Sequence, residues 1–250
     1  GQRPPIVKGF KKSNMKVLIT GANGQLGRAL STSFPDSIGV DSNVLDITDR
    51  DQVLRFDLNG IGAIINAAAY TAVDKAEDPT NQELVERVNV SGVANLAELA
   101  TKANIPLVHV STDYVFDGTK EDPYTEENIP NGKGFYGTSK ARGDLEAAKV
   151  PKHYIFRTSM VMGDGANFVK AILNRANNEL PSGVVSDQFG RITFTDTLAE
   201  AIKFALENEI PFGIKKSGVK SVVTIHDLIF VRYPELYPAI DRFFYQQKFR

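Results

Sequence analysis

The sequence predicts an α/β fold built on a doubly wound parallel sheet. Short apolar runs alternate along the chain with amphipathic helical segments, the order expected of strands joined by right-handed helical crossovers. A glycine-rich turn sits directly between the first apolar run and the first helical segment. Later runs such as GAIINAAA are apolar without alternation, as strands buried on both faces require.

The elements follow in order. KVLIT at 16–20 reads as a short strand, and 25–34 as a helix that Pro35 stops. SIGVD at 37–41 is a second strand, and Asp49 is placed to cap a short helix over 51–58. GAIINAAA at 62–69 is the third strand. Leu84, Val85, Val88, Val93, Leu96 and Leu99 form a helical stripe that predicts one long helix over 81–103. IPLVHVSTDYVF at 105–116 is a further buried strand, 135–148 a helix and 153–159 another strand. Pro123, Pro130, Asn131, Gly132 and Gly134 mark a surface loop ahead of the 135–148 helix.

Composition narrows the function classes. A chain of 250 residues, 42% hydrophobic and 24% charged, has ordinary globular make-up and can bury a sizeable core. The net charge of −1 argues for neither a nucleic-acid nor a membrane partner. There is no cysteine, so disulfides and thiolate metal sites are excluded, and a reducing cytoplasmic setting is expected. No metal site is expected either: His109 lies inside an apolar run and His153 beside one, where structural roles are the expectation. Residues 1–14 carry Arg3, Lys8, Lys11 and Lys12 without an acid and lack the apolar segment of a signal peptide, so they read as a flexible basic extension.

Two motifs carry chemistry. In ITGANGQLGRAL the glycines Gly21, Gly24 and Gly27 follow a G-x-x-G-x-x-G spacing after a strand. Such glycines allow a tight turn and close approach of a pyrophosphate, toward which the new helix points free N–H groups and its positive end. A plain strand-to-helix turn is the alternative. Asp41 ends the second strand, where its carboxylate could accept bonds from an adenosine ribose; Arg28 could instead serve a 2′-phosphate, so NADH and NADPH both stay open. In the second motif, FYGTSK, Tyr136 and Lys140 share one helix face at i and i+4. An adjacent ammonium is expected to draw the Tyr136 phenol down from its usual pKa near 10 toward the range of acid–base work. Thr112 ends a buried strand and could orient a substrate oxygen toward Tyr136. Together these groups describe hydride transfer at a carbonyl.

With both motifs in view, the chain resembles the extended short-chain dehydrogenase/reductases, and within them the dTDP-4-dehydrorhamnose reductase family. The matching segments are ITGANGQLG, INAAAYTAVDKAEDP, VNVSGVANLAELA, VSTDYVFDG, YGTSKARGDLE, FRTSMVMGDGANFV and VVSDQFGRITFTDTLA, from about Met15 to Glu207. The resemblance implies a Rossmann-type domain over 15–159 and a partial substrate-binding lobe over 160–214, from which the chain could return to the first domain. It implies NAD(P)H-dependent reduction of a dTDP-4-keto-6-deoxy sugar. Gly24, Gln25 and Leu26 would wrap the pyrophosphate, with Asp41, Asp46 and Ile47 around the adenosine. Ala67, Ala68 and Ala69 would floor the cofactor site. Tyr136 would be the catalytic acid, Lys140 its partner, and Thr112 with Asp113 would contact the sugar. Asn89 would brace the backbone near the site. A homodimer stays open: some related reductases dimerise through metal-bound glutamates, and RALSTSF after the glycine loop offers no acid. A cofactor-binding protein without turnover, or a sugar-nucleotide epimerase, are the other readings.

Two departures stand out. Where the family often has tryptophan in an R-T-S-W segment, this chain has Met160, and it contains no tryptophan. Residues 218–250, GVKSVVTIHDLIFVRYPELYPAIDRFFYQQKFR, resemble instead an internal piece of a family 4 glycosyltransferase. A joined reading frame is favoured over drift of the reductase's own lobe, leaving 215–250 as an atypical tail. The piece is too short for a nucleotide-sugar site of its own, so His226 and Asp227 are not read as catalytic.

Overall fold

A computed structural model describes residues 15–120, 122–179, 190, 192–208 and 222–225. Six parallel strands form one sheet: β1 (Val17–Thr20), β2 (Ile38–Val40), β3 (Ala63–Asn66), β4 (Leu107–Thr112), β5 (His153–Thr158) and, at the far edge, the Val222–Ile225 strand. Their order is β2-β1-β3-β4-β5 followed by that last strand. The chain therefore moves outward from β1 to β2, then returns across β1 to β3. This reversal makes a crevice between the C-terminal ends of β1 and β3, where ligands of open parallel sheets bind.

Helices cover both faces. The first face joins Val17, Ile19, Ile65, Tyr154 and Phe156 to Leu26, Leu30 and Phe34 of α1 (Gln25–Ser33). The second joins Leu18, Ile64, Leu107 and Ile155 to Val93, Leu96 and Ala100. Each such side chain, taken fully out of water, contributes ~1.5–3 kcal/mol before entropy is counted. Successive residues of β1, β3 and β5 thus alternate between two cores, which is why the strands read as unbroken apolar runs.

Helix starts follow local chemistry. Asp49 caps α2 (Arg50–Leu54) by accepting the Gln52 N–H at 3.0 Å, as expected, though the helix ends four residues short of the predicted 58. After β3 comes the one-turn α3 (Val73–Ala76), and Asp78 with Pro79 then opens α4 (Pro79–Glu86), the carboxylate accepting the Thr80 N–H at 2.9 Å. The predicted single helix over 81–103 proves to be α4 and α5 (Gly92–Ala103) joined by a π-helical turn over Arg87–Ser91. Hydrophobic spacing does not register one wide turn, because the stripe simply rotates and resumes. Asn104, in the left-handed region at φ 55°, ends α5.

The helix that carries the FYGTSK motif is α6 (Phe135–Ala147). It crosses the π turn so closely that a Cβ on Gly143 would lie 2.3 Å from the Asn89 carbonyl oxygen. Beyond β5, a two-stranded parallel ribbon pairs β6 (Val161–Met162) with β7 (Thr193–Phe194), flanking α7 (Phe168–Asn177). The chain then returns to the sheet as α8 (Thr195–Glu207), whose Leu198, Ile202 and Leu206 join the α1 core. The last strand, β8 (Val222–Ile225), pairs in parallel with β5. The basic extension at 1–14, and the tail readings beyond 225 with His226 and Asp227, lie outside the described residues.

Gly143 gives a prediction of unusual sign. Glycine to alanine inside an exposed helix gains up to about 1 kcal/mol. Here Gly143→Ala should instead cost about 1–3 kcal/mol, because the methyl drives into Asn89. A urea denaturation midpoint below that of the unaltered chain is the expected outcome.

Candidate active site

The cradle is built from backbone. Gly21 has φ +68°, and a Cβ there would lie 2.8 Å from the Ala68 backbone N and Cα. A Cβ on Gly27 would lie 2.2 Å from the Gly21 carbonyl oxygen. Both positions therefore accept only glycine, one for its conformation and contact, the other for contact alone. Gly24 opens α1 with no side-chain cap, and the first turn holds no acid. Free N–H groups and the helix's positive end thus face the crevice, as a pyrophosphate requires. Ala67, Ala68 and Ala69 follow β3 as half-buried small residues beside Gly21. Gln25 lies at the helix start and donates from Nε2 to the Val161 carbonyl at 3.3 Å, while Leu26 turns into the core.

The adenosine side is less open than the sequence implies. Asp41 directly follows β2, and one of its oxygens accepts the Asn23 N–H at 2.9 Å and so shapes the glycine loop. The Asp46 carboxylate caps its own turn through the Thr48 N–H at 2.9 Å. The Ile47 side chain is buried against Gly92, and its carbonyl accepts from Asn95 at 2.8 Å. Arg28 donates to the carbonyls of Asn23 and Asp164, tying the glycine loop to the turn that follows β6.

On α6, Tyr136 is 7% exposed and lies beside Thr112 at the end of β4. The Thr112 hydroxyl donates to Asp113 Oδ1 at 3.1 Å and accepts the Tyr114 N–H at 3.2 Å, so strand end and short 3-10 turn share one oxygen. The Tyr114 ring meets the Tyr136 ring edge-on, with centroids 5.8 Å apart. Burial pushes the Tyr136 phenol up to about 12, with Thr112 opposing. This reverses the expectation that Lys140 draws it down. Lys140 does share the helix face, but its ammonium is turned beneath the site, donating to the Val110 carbonyl at 2.9 Å. Burial lowers Lys140 to about 8, with Asp144 opposing.

Beneath them lies a buried polar row that the sequence does not announce. Thr20, Asn66 and His109 stand in register on β1, β3 and β4. Thr20 Oγ1 donates to Asn66 Oδ1 at 2.7 Å, and Asn66 Nδ2 lies 3.1 Å from His109 Nδ1. Arg157 on β5 donates from Nε to Asp144 Oδ2 at 2.8 Å. His109 is fully buried within this row, and no cluster of metal-ligating side chains occurs among the described residues.

Two further residues hold the site in place. Asn89 accepts the Tyr70 N–H at 2.9 Å and donates to Ser139 Oγ at 3.1 Å, which confirms its bracing position. Glu77, which sequence reasoning passed over, caps α6 by accepting the Phe135 N–H at 3.0 Å and the Tyr136 N–H at 3.2 Å. Its signal was its place inside INAAAYTAVDKAEDP, the most distinctive segment of the chain. Asp113 stands beside Thr112 at the mouth of the site, and Met160 is 40% exposed. Met160 lines a small apolar hollow of about 90 Å³ with Val161, Met162, Phe168 and Ile192.

Comparison with known proteins agrees with this geometry. A family model described as the RmlD substrate binding domain matches residues 15–228, running past β8. The dTDP-4-dehydrorhamnose reductase of Aggregatibacter actinomycetemcomitans is 40% identical over 233 residues, covering 88% of this chain and 79% of the relative. That of Mycolicibacterium smegmatis is 36% identical over 221 residues, covering 85% of this chain and 66% of the relative. Among solved structures, a dTDP-4-dehydrorhamnose reductase from Clostridium acetobutylicum superposes with a TM-score of 0.76 at 36% identity, over 84% of this chain and 73% of the other. The Bacillus anthracis reductase, solved in complex with NADP, gives 0.75 at 32% identity, over 84% and 74%. With the family model matching most of the chain and relatives 36–40% identical over most of its length, the chain belongs to the dTDP-4-dehydrorhamnose reductase family.

Proposed function

We propose that this chain uses NADPH or NADH to reduce the 4-keto group of dTDP-4-dehydro-6-deoxy-L-mannose, giving dTDP-L-rhamnose. The observation that carries the reading is a buried Tyr136 beside Thr112, at the same C-terminal end of the sheet as a backbone cradle that side chains would fill. Gly21, Gly24, Gln25 and Gly27 would hold the pyrophosphate, with Leu26 and Ala67–Ala69 shaping the walls, Asp41 and Asp46 toward the adenosine, and Lys140 toward the nicotinamide ribose. Ile47 contributes through its backbone, its side chain being committed to the core. Once bound, the cofactor supplies the hydride for the carbonyl carbon.

The chain's own groups manage the oxygen. A phenol kept protonated by burial is an acid at neutral pH, which is the direction that reduction needs: Tyr136 Oη–H donates to the carbonyl oxygen as negative charge gathers there. Thr112 holds that oxygen in line, and Asp113 and Met160 line the sugar's side. Lys140 remains cationic below about pH 8, where it offsets the charge left on Tyr136 Oη until solvent returns a proton. No helix among the described residues is long and apolar enough to cross a membrane, in keeping with a nucleotide-sugar substrate met in water.

Two variants separate binding from chemistry. Tyr136→Phe should bind NADPH with nearly unchanged affinity in a fluorescence titration, while sugar-dependent oxidation falls by roughly 10²–10⁴-fold. Retained turnover would remove Tyr136 from the mechanism. Gly21→Ala should show the converse, with cofactor affinity lost as the new methyl displaces Ala68 and the positive φ is strained.

A further inference from the structure

Tyr136 and Lys140 account for the chemistry, yet three more ionisable groups are buried directly behind Lys140. Asp144, one helical turn further along α6, is 3% exposed; Arg157 on β5 is 4% exposed and His109 on β4 is fully buried. Burying this many polar groups is costly unless each serves another. The hydrogen-bond pattern says which serves which.

Asn66 fixes the first assignment. Its Oδ1 accepts from the backbone N–H of Ala68 at 3.2 Å, a donor whose sense cannot reverse, and from Thr20. Its Nδ2 must therefore donate to His109 Nδ1, which leaves the imidazole proton on Nε2. That Nε2–H stands 3.5 Å from the Lys140 ammonium, itself only a donor, so the two make no hydrogen bond. Nε2 faces Asp144 Oδ1 instead, at 3.7 Å. Burial first, then the neighbouring Lys140 and Arg157 cations, hold His109 far below its usual range, so it stays neutral. Arg157, always charged, occupies Asp144 Oδ2. Burial raises Asp144, and the Arg157 guanidinium, Ser111 and Lys140 oppose that. The groups around Lys140 are thus the neutral His109 and the Val110 carbonyl from β4, Tyr136 and Asp144 from α6, and Arg157 from β5. Asp144 is the one anion buried among them, with Asp113 at the mouth beside Thr112.

We propose that Asp144 is a positioning residue that keeps Lys140 in its ammonium form inside the cofactor site, with the Arg157 guanidinium holding Asp144 ionised. This rests on the reductase reading for what Lys140 does there, but the charge relation belongs to the protein alone. It explains why the row ends on an acid: without one, a fully buried lysine loses its proton near neutrality. It also ties the cradle to the acid–base pair, because the Ala68 N–H that sets the His109 tautomer abuts Gly21.

The test is an NMR titration of the full chain labelled with [ε-13C]lysine, without cofactor, with the Lys140 signal assigned by its loss in Lys140→Met. Lys140 should titrate near 8 in the unaltered chain, well below the exposed lysines. In Asp144→Asn it should titrate about one unit or more lower, and Asp144→Glu should restore most of the difference. An unchanged Lys140 titration in Asp144→Asn overturns the proposal. Should that variant not fold, with Arg157 left unpaired, the double variant Asp144→Asn with Arg157→Gln must titrate lower than Arg157→Gln alone, and the absence of that difference overturns the proposal equally. Sugar-dependent cofactor oxidation, followed against pH, separates the two readings. The alkaline limb should move with the Lys140 titration, whereas an NMR shift without turnover upholds the charge relation and sinks the reductase reading.

Discussion

The site depends on the close approach of two backbones at the point where the sheet reverses direction. Gly21 leaves β1 with a positive φ and lies against the turn that follows β3, nearer than any side chain permits. That contact leaves the crevice lined by backbone, and it also sets Ala68 where its N–H orients Asn66. From Asn66 the constraint passes along the strand register to His109, and from there to the groups behind Lys140. A glycine spacing usually read for phosphate binding thus also governs the polar layer under Tyr136 and Lys140.

That layer shows how a parallel sheet changes character along its length. Leu18, Ile64, Leu107 and Ile155 form one apolar core, and two residues further on the same face stand Thr20, Asn66, His109 and Arg157. Polarity rises toward the C-terminal ends of the strands, where the site lies. The cost of burying these groups is offset by mutual hydrogen bonds and one tight ion pair. Above it, α6 is held from three sides: Glu77 at its first turn, Asn89 through Ser139, and the π turn against Gly143. Few parts of the molecule are fixed from so many directions.

Much of this was legible in the chain. Strand and helix order followed from apolar spacing, because continuous runs and helical stripes are local. The cradle was legible because Gly21, Gly24 and Gly27 have a backbone meaning wherever a strand meets a helix. What depends on register was not: no local pattern says that Asn66 faces His109, or that Arg157 reaches Asp144. The π turn was hidden because one wide turn leaves the hydrophobic stripe nearly intact. The Tyr136 phenol moved opposite to expectation because spacing reveals a lysine four residues away but not the burial that outweighs it. Asp46 and Ile47 stood in suggestive positions, yet the Asp46 carboxylate caps its own turn and the Ile47 side chain fills the core under Gly92.

These residues should form a working reductase with Met160 on the sugar's side of the site. The most direct measurement follows reduced-nicotinamide absorbance, with NADPH and NADH separately, after adding the dTDP-4-keto-6-deoxy sugar to the full chain. Oxidation that requires the sugar, with dTDP-L-rhamnose as product, is the result this account predicts. Tight cofactor binding with no sugar-dependent oxidation by either nucleotide would contradict it.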